Sequence, residues 1–135
     1  MTTTSDAAIV LVSHSSKLAS GLQELIQSMA RDVTVRTAAG DGEGGLGTQS
    51  DAITEAIRTA GARRVLLFFD LGSAMMNAEL AVEVMRMEDR SVDVILVDAP
   101  LVEGAFAAAM ALQTGKDIED AVQAAERTRT EGKKR

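Results

Sequence analysis

The hydrophobic and polar positions of this chain alternate between short apolar runs and longer segments with a helical period. The short runs predict four strands, at Ala7–Ser13, Val33–Ala38, Arg64–Phe69 and Val92–Val97. Apolar residues spaced three or four positions apart predict five helices, at Ser16–Ala30, around Ile53–Ala60, at Ser73–Arg86, at Leu101–Leu112 and at Asp117–Arg129. The first helix is expected to bury one apolar face that comprises Leu18, Leu22, Leu25, Ile26 and Met29.

Regular alternation of strands and helices predicts one α/β domain over residues 1–135, with residues 1–6 and 130–135 as frayed ends. Right-handed crossovers between such strands produce an open, mainly parallel sheet with helices on both faces. We expect the common strand order 2-1-3-4. Val33–Ala38 alternates between apolar and polar residues, so we expect it near an edge of the sheet.

Two of the predicted strands lead into residues that can carry chemistry. The first strand ends beside His14, the only histidine of the chain, and the third is followed by Asp70 and a turn of small residues. In a sheet of this order, ligands bind beyond the carboxyl ends of the strands, between strands 1 and 3. The topology therefore predicts that His14 and Asp70 share one site.

A carboxylate that accepts the Nδ1 proton of an imidazole leaves Nε2 with a free lone pair, and it stabilises the cationic ring that forms when Nε2 attacks an electrophile. Ser15 and Ser16, like Gly72 and Ser73, lie at turns that open helices, where backbone N–H groups favour an anion. Together these features predict a phosphohistidine site. Two other interpretations are a purely structural hydrogen bond of the histidine, and a carboxylate that caps the third helix.

Composition narrows the function classes. A formal net charge of −6 disfavours sequence-independent binding of nucleic acid, and the lack of cysteine excludes thiolate chemistry. One histidine without cysteines predicts no metal site, and the lack of a Walker A or G-x-G-x-x-G motif disfavours direct binding of ATP or a dinucleotide. The sequence shows neither a signal peptide nor a membrane-spanning run, so we expect a cytoplasmic protein that does not bind membranes.

Three further segments carry local predictions. The acidic segment Gly40–Gly47 contains five glycines and is expected to form a mobile loop, followed by Thr48 as the N-cap of the second helix. Pro100 is expected at the start of the fourth helix. The Met75-Met76 pair predicts packing on a helix surface, or a surface that adapts to a partner protein.

Four segments resemble a known protein family: Leu11-Val-Ser-His14-Ser, Gly47-Thr48, Asp70-Leu-Gly-Ser-Ala74-Met-x-Asn77-x-Glu79 and Ala99-Pro-Leu-Val-Glu-Gly-Ala105. They are similar to DhaM, the family of phosphotransferase subunits of phosphoenolpyruvate-dependent dihydroxyacetone kinases. The fold of that family is the mannose-type EIIA domain of the sugar phosphotransferase system. The resemblance covers most of the chain.

The resemblance implies a role for each matching residue. His14 would accept a phosphoryl group on Nε2 from phospho-HPr, and Asp70 would orient the ring from the Nδ1 side. The residues expected to line the phosphoryl group, including those of the helix-opening turns, are Ser15, Thr48, Gly72, Ser73 and Ala74.

The resemblance also implies partners. The phosphoryl group would pass to ADP held on DhaL, whose ATP phosphorylates dihydroxyacetone held on DhaK. Nucleotide and magnesium would then belong to DhaL, so we expect no cofactor on this chain. Family members of this type are usually homodimers, and some carry HPr-like and enzyme-I-like domains after this one. We expect the donor to arrive separately here, and only helices after Val97 where mannose-type relatives have an antiparallel strand.

Three alternatives remain open at the level of sequence. A mannose-class EIIA component would feed a membrane sugar permease by the same chemistry. A non-catalytic regulatory module would use the histidine only as a hydrogen-bonding group. A chelatase-like enzyme begins with a similar strand and histidine but needs further metal-binding or tetrapyrrole-binding residues, which we do not find.

Overall fold

A computed structural model describes residues 6–134. Its strands are β1 (Ala7–Ser13), β2 (Thr34–Ala39), β3 (Arg64–Phe69) and β4 (Asp93–Leu96). Its helices are α1 (Ser16–Met29), α2 (Ser50–Ala60), α3 (Gly72–Glu88), α4 (Leu101–Gln113) and α5 (Ile118–Arg127). All strand pairs are parallel and the order is β2-β1-β3-β4, which confirms the predicted fold.

The sheet separates two apolar layers. Successive side chains of a strand point to opposite faces, so Ile9 and Leu11 pack beneath α1, α4 and α5, whereas Val10 and Val12 pack beneath α2 and α3. Every residue of β1 is buried, as expected for a central strand. The parallel pairing of β1 with β3 holds the carboxyl ends of these two strands side by side.

After β4 the elements agree with the prediction where the structure describes them, whereas fraying at the ends of the domain stays a prediction. After β4 the described residues form only α4 and α5, with no further strand up to residue 134. Pro100 is the N-cap of α4, as predicted. Of the predicted frayed ends, residues 1–5 and 135 lie outside the described residues.

Two local predictions are wrong. The N-cap of α2 is Gln49 rather than Thr48, because the Thr48 hydroxyl accepts a hydrogen bond from the distant Asn77 instead of from its own helix. The apolar face of α1 is also narrower than predicted. This helix packs on the β2 side of the sheet and buries Ala19, Leu22 and Ile26. The three predicted core residues that remain exposed are Leu18, Leu25 and Met29.

Gly104 marks the closest approach between α4 and the segment that follows β4. A Cβ atom built at this position would lie 2.6 Å from Cβ of Ala99 and 3.5 Å from Cε2 of Phe68. Cβ of Ala99 is attached directly to the backbone and cannot turn away. We expect Gly104→Ala to lower the free energy of unfolding by about 1–3 kcal/mol, since overpacking outweighs the helix propensity of alanine.

Gly21 of α1 provides the matched control, because a Cβ built there meets no atom within 4 Å. Gly21→Ala is expected to raise the free energy of unfolding by up to about 1 kcal/mol. Denaturant unfolding of both variants measures the two effects. Equal changes at the two glycines would contradict the close approach at Gly104.

Candidate functional site

His14 and Asp70 meet at the carboxyl edge of the sheet. In the parallel ladder Val12 of β1 lies opposite Phe69 of β3, so the residues that follow the two strands are neighbours. Nδ1 of His14 lies 2.9 Å from Oδ1 of Asp70. The two side chains are 25% and 12% exposed, so the pair is reachable from solvent but largely shielded. The predicted juxtaposition of these two residues is present.

The carboxylate of Asp70 accepts hydrogen bonds on both oxygens. Oδ2 accepts from the Ser13 hydroxyl at 2.9 Å and from the backbone N–H of His14 at 3.0 Å. Oδ1 accepts from the backbone N–H of Leu71 at 2.7 Å in addition to the imidazole. Burial raises the pKa of Asp70, but the donors of His14, Ser13 and Leu71 together lower this pKa by more. The pKa of Asp70 therefore lies below its ordinary value, and the carboxylate is ionised at neutral pH.

The contacts of Asp70 bear on the interpretation that it caps the third helix. The N-cap of α3 is Leu71, and no side chain accepts a hydrogen bond there. Asp70 contacts the N–H of Leu71 but directs the rest of its hydrogen-bonding capacity to His14 and Ser13. The carboxylate therefore contacts the imidazole and does not act as the N-cap of α3, and its role in orienting the ring for chemistry stays a prediction.

The tautomer of His14 follows from its partners. An ionised carboxylate only accepts, so Nδ1 of the neutral ring carries the proton and Nε2 carries the lone pair. The hydroxyl of Ser73 lies 2.6 Å from Nε2 and donates to that lone pair. The ring nitrogen with the lone pair thus faces the first turn of α3.

The first turns of α1 and α3 flank the imidazole. Ser15 is the N-cap of α1, and its hydroxyl accepts from the N–H of Leu18 at 3.1 Å. α3 begins with Gly72, Ser73 and Ala74, of which only Ala74 is buried. No side chain caps α3, and the positive end of its dipole lies beside the imidazole, because the hydroxyl of Ser73 in its first turn contacts Nε2 of His14. The contact of these residues with a phosphoryl group stays a prediction.

The segment Gly40–Gly47 borders the site through backbone hydrogen bonds. The N–H of Gly47 donates to the carbonyl of His14 at 2.8 Å, and the N–H of Gly40 donates to the carbonyl of Ser13 at 3.2 Å. Within the loop, the Asp41 carboxylate accepts from the N–H groups of Glu43 and Gly45, which lowers the pKa of Asp41. The loop therefore has a defined conformation in this structure, and its predicted mobility stays a prediction.

Thr48 is held close to the site by α3. Nδ2 of Asn77 donates to Oγ1 of Thr48 at 2.7 Å and to its carbonyl at 3.2 Å. Since the N–H of the preceding Gly47 is bonded to His14, this pair fixes the end of the loop relative to both α3 and the histidine. The predicted flanking position of Thr48 fits this geometry, and its contact with a phosphoryl group stays a prediction.

Sequence reasoning assigned no role to Ser13 or Asn77. Ser13 is a fully buried polar residue, and the only signal for it was a hydroxyl at the end of an otherwise apolar strand. Asn77 occurs in a segment that carried the family resemblance, but its partner Thr48 is 29 residues away. Neither hydrogen bond can be inferred without the fold.

Two kinds of feature are absent from the part of the chain that the structure describes. Residues 6–134 contain no group of three or more His, Cys, Asp or Glu side chains arranged to hold a metal ion. Over the same range, none of the helices combines the length and the apolar character that a membrane span requires.

Comparison with known families identifies the domain. Residues 8–122 match the family EIIA-man, described as the PTS system fructose IIA component. The chain belongs to this family. A crystal structure of a protein of unknown function has the same fold, with a TM-score of 0.81 and 37% identity over 90% of this chain and 94% of that one.

The curated relatives of this EIIA-man member carry the name DhaM. The phosphoryl donor subunit DhaM of PEP-dependent dihydroxyacetone kinase 2 from Listeria innocua is 45% identical over 76% of this chain and 83% of its own length. The phosphotransferase subunit DhaM from Lactococcus lactis is 40% identical over 82% of this chain and 86% of its own length. DhaM of Escherichia coli is 39% identical over 84% of this chain and 25% of its own length. The family resemblance expected from the sequence is confirmed.

Proposed function

We propose that this protein is the phosphoryl donor subunit of a phosphoenolpyruvate-dependent dihydroxyacetone kinase and that Nε2 of His14 carries the phosphoryl group. The observation that carries the proposal is the 2.9 Å contact between Nδ1 of His14 and the ionised Asp70, which leaves Nε2 as a nucleophile at the surface. The names of the DhaM relatives support the pathway.

The proposed reaction moves one phosphoryl group twice. The lone pair of Nε2 attacks the phosphorus of phospho-HPr, the Nε2–P bond forms, and the electron pair of the broken N–P bond returns to the donor histidine. The ring of His14 becomes cationic, and the carboxylate of Asp70 stabilises it. A terminal phosphate oxygen of ADP on DhaL then attacks the same phosphorus, and the Nε2–P electrons return to His14. The resulting ATP then phosphorylates dihydroxyacetone held on DhaK.

Ser73 takes two positions in this scheme. In the resting site its hydroxyl donates to Nε2 at 2.6 Å, so this hydroxyl turns aside when the phosphorus approaches. It then donates to an oxygen of the phosphoryl group, together with the first N–H groups of α3 at Gly72 and Ser73, whereas the N–H of Ala74 already donates to the carbonyl of Leu71. Ser15 and Thr48 border the group from α1 and from the end of the loop. Nucleotide and Mg²⁺ are assigned to DhaL.

Exposed apolar side chains near His14 support the proposal that partner proteins dock at this surface. Leu46 precedes Gly47, whose N–H binds the carbonyl of His14, and Leu71 directly follows Asp70. Met76 lies in α3 within one turn of Ser73. These three side chains are 78%, 61% and 72% exposed. Apolar side chains grouped around a reactive residue are typical of a protein–protein contact. We assign this surface to the docking of phospho-HPr and DhaL, with Met75 and Met76 as its adaptable part.

Reconstitution tests the pathway. The protein is incubated with phosphoenolpyruvate, enzyme I and HPr, separated from them, and added to DhaL loaded with ADP. We expect the phosphoryl group to appear as ATP on DhaL, and as dihydroxyacetone phosphate when DhaK and dihydroxyacetone are present. A phosphorylated protein that bypasses DhaL and phosphorylates the EIIB component of a sugar permease would instead establish a mannose-class EIIA. The cytoplasmic location and the homodimer implied by the resemblance stay predictions.

A further inference from the structure

Ser13 is a fully buried side chain at the end of β1, and its hydroxyl has two defined partners. The hydroxyl donates to Oδ2 of Asp70 at 2.9 Å and accepts from the backbone N–H of Ser15 at 3.0 Å. Since the Ser15 N–H occupies an acceptor position of Oγ, the single proton of the hydroxyl is directed at the carboxylate. Ser13 therefore connects the end of β1, the start of α1 and the site.

The two carboxylate oxygens of Asp70 have different hydrogen-bond partners. Oδ1 faces the imidazole, whereas Oδ2 is held by the Ser13 hydroxyl and the backbone N–H of His14. A carboxylate rotates about its Cβ–Cγ bond unless both oxygens are held. Without the Ser13 hydroxyl, Oδ2 keeps only the His14 N–H as a donor, so the plane of the carboxylate is held less firmly against the ring.

We propose that Ser13 is a positioning residue for phosphoryl transfer: its hydroxyl fixes the carboxylate of Asp70, which holds the imidazole of His14 with the proton on Nδ1 and the lone pair on Nε2. The proposal rests on the proposed function of His14. The hydroxyl also contributes to the lowered pKa of Asp70, which keeps the carboxylate an acceptor. Ser13 makes no hydrogen bond to the imidazole itself, so it acts through Asp70.

Three substitutions separate the hydroxyl from the shape of the side chain. Ser13→Ala removes the hydroxyl without adding volume. Ser13→Thr and Ser13→Val add side chains of nearly equal shape, of which only threonine keeps a hydroxyl. In single-turnover phosphorylation by phospho-HPr, we expect the Ala and Val variants to react about tenfold more slowly, as loss of a hydrogen bond to a charged group predicts. The Thr variant is expected to react at least several times faster than the Val variant.

The tautomer of His14 provides a readout that a merely structural role would not change. Since His14 is the only histidine, ¹⁵N NMR of the unphosphorylated protein shows a single imidazole. With the ring in its neutral form, we expect the Nδ1–H tautomer in the wild type and a measurable share of the Nε2–H tautomer in Ser13→Ala. This measurement needs no partner, so it decides the role of Ser13 even if His14 accepts no phosphoryl group.

Two outcomes would overturn the proposal. In one, Ser13→Ala keeps the wild-type tautomer, whether or not its phosphorylation slows. In the other, the Thr and Val variants fold and react equally slowly, which would assign the effect to side-chain volume. If the β-branched variants do not fold, the tautomer of Ser13→Ala alone decides.

Discussion

Replacement of His14 by glutamine is expected to abolish phosphoryl uptake. The chain contains no second imidazole, and a carboxamide nitrogen has no lone pair available to attack phosphorus. Glutamine still offers an N–H group to the carboxylate of Asp70, so the variant tests the nucleophile with little disturbance of its surroundings. Intact-mass analysis after incubation with phosphoenolpyruvate, enzyme I and HPr is expected to show one acid-labile phosphoryl group on the wild type and none on His14→Gln.

The Gly21→Ala variant is the matched control for this experiment, because it changes an exposed position of α1 where an added methyl group meets no neighbour. It is expected to take up the phosphoryl group as the wild type does. A phosphoryl group on His14→Gln would refute the assignment of the nucleophile. No uptake by the wild type from a demonstrably active donor would leave a non-catalytic module of the same fold.

Replacement of Asp70 by asparagine is expected to slow phosphorylation of His14 by a factor of about 10²–10⁴. Asparagine has nearly the same shape as aspartate, but its terminal nitrogen is a donor. Every hydrogen-bond partner of Asp70 is also a donor, so the NH₂ group of asparagine would face a donor instead of an acceptor. The carboxamide also carries no charge to stabilise the cationic phosphoimidazole. If its NH₂ group faces the ring, Nδ1 must accept, and the proton moves to Nε2, where it removes the nucleophile.

Single-turnover phosphorylation measures this effect, and a rate within threefold of the wild type would contradict the role of Asp70. The same variant makes a second, thermodynamic check possible. Because the pKa of Asp70 is lowered in the folded protein, its contribution to stability is present above the unfolded pKa of about 4 and is lost as the pH falls through the lowered value. The difference in unfolding free energy between wild type and Asp70→Asn should therefore shrink toward acidic pH.

The sequence pattern predicted most of the architecture because hydrophobic periodicity is a local property of the chain. The periodic apolar positions become the buried faces of the strands and helices. β1 and β3 have the predicted bounds, and the other strand and helix ends differ by no more than two residues where they were specified. The pattern failed where a distant partner decided the outcome. Thr48 resembled a helix cap but bonds to Asn77, and α1 packs on the sheet through Leu22 and Ile26 while Leu18 stays exposed.

By itself, the sequence determined that His14 and Asp70 would share a site, since strand order 2-1-3-4 brings the ends of strands 1 and 3 together. Only the tertiary structure decided which atoms meet. The hydroxyl of Ser13 reaches Asp70 across 57 positions of the chain, and that of Ser73 reaches His14 across 59. Hydrogen bonds act over about 3 Å, so they depend on strand register and on where each helix begins, which are set by packing of the whole domain.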